Sequence, residues 1–73
     1  MSKISFTISS DVSTRDGIGV ELYLHDKIQL EVFRDDSTRR RYIKLFSDDV
    51  DLELVELCIQ KFKDENLWKF MEC

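Results

Sequence analysis

The chain has 73 residues, of which 42% are hydrophobic and 36% are charged, and it contains two glycines and no proline. A chain this short forms one domain, and its formal net charge of −4 disfavours general binding to the phosphates of nucleic acids. We therefore expect a single small domain without a nucleic-acid partner.

The residue types present also argue against several classes of protein. Cys58 and Cys73 are too few to crosslink a small secreted fold, which predicts a reduced, cytoplasmic protein. Polar and apolar residues alternate over residues 1–8, so we expect neither a signal peptide nor a membrane span. There is one histidine, no glycine-rich phosphate loop and no close pair of metal ligands. We expect no enzyme, cofactor or metal site.

The first half of the chain predicts three strands. Alternating residues indicate a strand over about residues 3–9, and residues 11–17, rich in Ser, Thr and Asp, indicate a loop. Alternation then continues over about residues 18–25 and 27–34. These two segments predict strands joined by a tight turn that contains His25.

The second half predicts a fourth strand over about residues 41–46 and a helix over about 50–65. The helix would begin near Asp49 or Val50. Helical spacing places Leu52, Val55, Cys58, Ile59 and Phe62 on its buried arc, with Leu54 at the edge. Residues 67–73 form an apolar tail, which we expect to fold back on the core; the alternative is docking into a partner.

These elements predict an α+β fold, a four-stranded antiparallel β-meander with one C-terminal helix packed on one face. The strand residues expected beneath the helix are Ile4, Phe6, Ile8, Val20, Leu22, Leu30, Val32, Ile43 and Leu45. Because one helix covers one side of the sheet, the other face would stay open.

The open face would carry four aromatic side chains among charged ones. Its residues would be Glu21, Tyr23, Glu31, Phe33, Tyr42, Lys44 and Phe46. Aromatic residues are enriched at the centres of interfaces, which favours a protein-binding or self-association face. The alternative is that these residues pair across strands for stability and remain partly exposed.

Acidic residues at the predicted helix start form a second candidate surface. They are Asp48, Asp49, Asp51, Glu53 and Glu56, with Leu57 facing outward among them. Such a surface would complement a basic partner. The alternative is helix capping and an ordinary solvated helix face.

A basic cluster, Arg39–Arg41 with Arg34 nearby, has two interpretations as well. It could bind phosphate, but the acidic residues Asp35 and Asp36 in the same turn favour internal charge pairing. We expect His25 to be a turn residue and Cys58 to be a small core residue.

Three segments resemble short bacterial proteins that include small immunity-type proteins. They are Asp16-Gly-Ile-Gly-Val-Glu-Leu-Tyr23, Glu31-Val-Phe-Arg-Asp-Asp36 and Asp49-Val-Asp-Leu-Glu-Leu54. The resemblance implies a compact acidic protein that neutralises another protein by binding it.

The sequence thus predicts a small acidic, non-catalytic inhibitor or immunity-type protein of bacterial or phage origin that occludes a partner protein. The expected partner-binding residues are Glu21, Tyr23, Glu31, Phe33, Tyr42, Phe46, Asp48, Asp49, Glu53 and Leu57. The alternative is a homo-oligomerising module that packs through the aromatic face.

Overall fold

The computed structural model describes residues 3–11 and 16–70. Its elements are β1 (Ile4–Asp11), β2 (Gly17–Leu24), β3 (Lys27–Asp35), β4 (Arg40–Leu45) and α1 (Leu52–Asp64). The strands form one antiparallel sheet in the order β1-β2-β3-β4, and the helix follows them. The predicted α+β fold is confirmed. The predictions for loop residues 12–15 and for residues 71–73 of the tail fall outside the described residues.

Strand pairing places the alternating apolar residues on one side of the sheet. Phe6 lies opposite Leu22, which lies opposite Leu30. The turn between β2 and β3 is made by His25 and Asp26, both with positive φ (51° and 66°), so the chain reverses there without glycine. A tight turn is what the sequence predicts at this point.

A β-bulge interrupts this regular pattern near the turn. Leu22 pairs with Leu30, whereas its neighbour Tyr23 pairs with Ile28. Gln29 is therefore an extra residue in β3, and Ile28 faces the same side as Tyr23. Simple alternation, which would place Ile28 beside Leu30, cannot reveal this shift.

The helix packs on the sheet through residues spaced four apart. Leu54, Cys58 and Phe62 are its buried residues and complete the core with Val20 and Leu22. The helix begins after Asp51, later than predicted, because the backbone at Asp51 is still extended. The predicted burial of Leu52 is wrong, since this residue lies about 200° around the helix from Leu54 and is 76% exposed.

The helix packs mainly on β2 and β3; in the edge strands Ile4 and Phe6 still pack against the core, whereas other apolar residues stay exposed. Ile8 in β1 is 43% exposed, and Ile43 and Leu45 in β4 are 42% and 52% exposed. The prediction that the helix covers these three residues is therefore wrong. A helix is about 10 Å wide and strands are about 4.8 Å apart, so one helix spans two strands of this sheet.

The tail folds back against the sheet through its main chain. Arg34 is buried, and its Nη1 donates hydrogen bonds to the carbonyls of Leu67 (3.0 Å) and Lys69 (2.8 Å). The Nε of Arg41 donates to the carbonyl of Trp68 at 2.6 Å. Two arginines thus hold the described part of the tail beside the end of the core. No helix in the described residues is long and apolar enough to cross a bilayer.

Candidate protein-binding surfaces

The open sheet face, the side facing away from α1, contains a completely buried aromatic ring. Phe33 is 0% exposed. It lies opposite Gly19, and a Cβ added at Gly19 would stand 2.7 Å from Cδ1 of Phe33. Tyr42 packs on the other side, with ring centroids 5.6 Å apart. Because glycine has no side chain, the ring lies directly over the backbone of β2, and the predicted exposure of Phe33 is wrong.

The acidic residues of the open sheet face also have internal surroundings. Glu31 is buried opposite Lys44, so its predicted exposure is wrong too. Tyr23 is half-buried, and its hydroxyl donates a hydrogen bond to Oε1 of Glu21 at 3.0 Å. This hydrogen bond raises the pKa of Tyr23, because only the protonated phenol can donate it; a phenolate would also be repelled by the Glu21 carboxylate. Glu21 and Glu31 therefore offer a partner less surface than the sequence suggests.

Cations cover part of the remaining aromatic surface. The Lys44 ammonium lies 5.1 Å from the centroid of the Phe46 ring, and the Arg40 guanidinium lies 5.5 Å from that of Tyr42. These distances are typical of cation–π contacts. Phe46 is still 43% exposed, whereas Tyr42 is half-buried. The open sheet face therefore has one substantially exposed aromatic ring among its predicted site residues.

The basic cluster packs on the aromatic tail. The Arg41 guanidinium lies 4.3 Å from the ring centroids of both Trp68 and Phe70, and that of Arg39 lies 4.9 Å from Phe70. Nη2 of Arg34 donates to Oδ2 of Asp36 at 3.2 Å, an internal charge pair of the kind expected. The tail contacts were missed by sequence reasoning. The sequence does contain a signal for these contacts. Large aromatic residues flank Lys69 in the tail, and the chain has one arginine cluster on which they can pack.

An apolar groove runs between α1 and β4, where the helix leaves the edge strand uncovered. This α1–β4 groove has a volume of about 260 Å³ and is lined by Val32, Arg41, Tyr42, Ile43, Val55, Ile59 and Trp68. Ile43 forms one side, and Val55 and Ile59 form the other. The sequence predicts these apolar residues as one continuous core, so the groove was not anticipated.

The predicted acidic surface lies at the start of α1. Asp48, Asp49 and Glu53 are exposed, and so is Leu57 on the outer side of the helix. Leu52, which sequence reasoning placed in the core, is the most exposed apolar residue described and directly precedes Glu53, whereas Leu57 lies about 140° around the helix from it. The structure thus keeps these four predicted site residues accessible and exposes one further leucine.

The groups with reactive potential lie apart from these surfaces. His25 is exposed in the β2–β3 turn. Cys58 is buried and its thiol donates to the carbonyl of Val20 at 3.4 Å; burial raises the pKa of this thiol to about 11. Among the described residues no group of three potential ligands could hold a metal ion. Cys58 is therefore a core thiol that resists ionisation.

No protein family matches this chain, and no curated protein or solved structure is significantly similar to it. Function is therefore inferred from the molecule's own surfaces.

Proposed function

We propose that this chain is a non-catalytic protein-binding factor of the inhibitor or immunity type, which acts by occluding a partner protein. The observation that carries the proposal is the α1–β4 groove together with exposed apolar residues on the two elements that form it. Ile43, Leu45 and Leu52 remain 42%, 52% and 76% exposed, and burying the exposed part of each would gain about 0.6–2.3 kcal/mol. Contiguous exposed apolar residues with a polar border are typical of interaction sites.

The charge at the start of α1, outside the groove lining, favours a partner that has a basic surface at this point. Asp48, Asp49 and Glu53 are exposed around Leu52, and the chain as a whole carries a net charge of −4. Acidic residues at the start of α1 steer a basic surface of the partner toward it. The resemblance to small immunity-type proteins supports the same function and a bacterial or phage origin. The unpaired thiol of Cys58 supports a reducing cytoplasm as the place of action.

The alternative, a homo-oligomer that packs through the open sheet face, has less support. Phe33 already fills its own site against Gly19 and Tyr42, and Lys44 lies over the ring of Phe46. Little aromatic surface is left for a second copy.

The proposal is tested with a partner captured from the native host and then purified. We expect Leu45→Glu to weaken the partner's affinity about tenfold or more, since tenfold corresponds to about 1.4 kcal/mol. Ile8→Glu is the matched control, because Ile8 is an apolar residue of similar exposure on the opposite edge strand. Asp49→Lys should slow association at low salt. Equal effects of Leu45→Glu and Ile8→Glu would contradict a role for the exposed apolar surface of β4.

A further inference from the structure

The outer edge of β4 has main-chain groups that point away from the sheet. The Phe46 N–H donates to the Gln29 carbonyl at 2.9 Å, which identifies the β4 positions that face β3. Because bonding alternates along an antiparallel ladder, the main-chain groups of Arg41, Ile43 and Leu45 face outward. In the described sheet β4 is the last strand, so no further strand pairs with this edge.

The charge of β4 discriminates between strands that could pair with this edge. β4 contains Arg40, Arg41 and Lys44 and no acidic residue, within a chain of net charge −4. Two copies of β4 placed side by side would bring these cations together, and like charges on neighbouring strands are destabilising. An acidic strand would instead gain opposite-charge pairs with Arg40 and Lys44, whereas Arg41 lies on the helix side and packs on Trp68 and Phe70.

The two sides of β4 differ in chemistry. Ile43 and Leu45 lie on the helix side of the sheet, and Ile43 lines the α1–β4 groove. Arg40 and Lys44 lie on the open sheet face. Successive side chains of an added strand point to opposite sides, so one set would reach the groove and the other set would meet the cations.

From this arrangement we propose that the β4 edge binds an extended segment of a partner protein in which acidic and apolar residues alternate. The segment adds to the sheet as a fifth strand, with its apolar side chains beside Ile43 and Leu45 and its carboxylates beside Arg40 and Lys44. Main-chain hydrogen bonds provide binding, and the alternating side chains provide specificity. This inference rests on the proposed protein-binding function and names how the partner occupies the groove. The acidic segment meets β4, whereas the basic surface proposed above meets the start of α1, a separate part of this chain.

The test uses a synthetic peptide of alternating Glu and Val with blocked ends, measured by calorimetric titration against the whole chain. We expect binding about tenfold or more tighter than that of a Lys–Val peptide. Methylation of the peptide nitrogens on the bonding edge should abolish binding, because it removes the main-chain donors. In nuclear magnetic resonance spectra, the amides of Ile43 and Leu45 should become protected from exchange.

Charge reversal provides a result that loss of folding cannot imitate. Arg40→Glu and, separately, Lys44→Glu should shift the preference from the Glu–Val peptide towards the Lys–Val peptide. Lys27→Glu is the control, because Lys27 is exposed at the start of β3 and away from this edge. Lys44→Glu places a carboxylate opposite the buried Glu31. If that variant does not fold, the result for Arg40→Glu decides between the two preferences.

Three outcomes would overturn the proposal: no binding of the Glu–Val peptide, equal binding of both peptides, or binding that survives nitrogen methylation. A concentration-dependent dimer that is lost on Ile43→Lys would also overturn it, by naming a second copy as the occupant. If the purified partner is sensitive to Leu45→Glu while the peptide does not bind, strand addition fails and the protein-binding function stands. If the peptide binds but the partner ignores Leu45→Glu, the proposed function fails instead.

Discussion

Replacement of Phe33 by alanine tests whether this residue, on the open sheet face, contributes to stability as a buried core residue does. The ring is fully buried against Tyr42 and the bare backbone at Gly19. Removing a buried phenylalanine ring costs about 3–5 kcal/mol, because the transfer free energy is lost and a cavity remains. At roughly 0.05–0.15 kcal/mol per residue, a domain of 73 residues has about 4–11 kcal/mol in total. Phe33→Ala should therefore lose a large part of the stability.

Phe46→Ala is the matched control, since it removes the same side chain from the same face. Phe46 is 43% exposed, so we expect a loss of about 1–2 kcal/mol, which includes its contact with Lys44. Urea unfolding followed by circular dichroism and Trp68 fluorescence measures both losses. Equal losses, or a loss below about 1 kcal/mol for Phe33→Ala, would refute the burial of Phe33 and restore the open sheet face as an aromatic docking surface.

Three further predictions concern the core and the tail. Gly19→Ala should destabilise the fold by about 1–3 kcal/mol through overpacking, because the added Cβ would meet the buried Phe33 ring at 2.7 Å. Alanine is ordinarily better than glycine in a strand, so the sign of the change in the urea midpoint tests this prediction. Arg34→Met should lower the free energy of unfolding by about 2–4 kcal/mol and red-shift Trp68 emission, since the tail loses its hydrogen bonds to Arg34. The control Arg40→Met should lower it by less than about 0.5 kcal/mol. For Cys58 the folded pKa of about 11 exceeds the usual 9.0, so the unfolded thiol ionises first and stability should fall as pH rises from 9 to 11. The free energy of unfolding, measured as a function of pH for this chain and for Cys58→Ala, tests the prediction, and two curves that stay parallel from pH 9 to 11 would contradict it.

The strands and the order of the sheet could be predicted because alternation is a local signal. The pairs of Phe6 with Leu22 and Leu22 with Leu30 follow from that alternation and from short connections. The bulge at Gln29 could not be predicted in this way. Its position depends on the pairing between strands and leaves no break in the local pattern.

The candidate sites were less predictable, because exposure depends on distant residues. Strand alternation places Phe33 and Phe46 on the same face of the sheet, yet Phe33 is buried and Phe46 is 43% exposed. The difference comes from Gly19 on the neighbouring strand, which gives the Phe33 ring room to lie flat. By contrast, Asp48 and Asp49 are exposed as expected, since charged residues beside a helix start seldom leave water.

The sequence by itself determined the element types, their order and, apart from the bulge in β3, the side of each strand that faces the helix, because these follow from periodicity along the chain. Only the tertiary structure decided how far the helix reaches across the sheet and what its edges leave exposed. A helix spans about two strands, so Ile43 lines a groove and Leu45 stays exposed instead of joining the core. The same three-dimensional packing joined Arg34 to the tail, at a separation that no local pattern encodes.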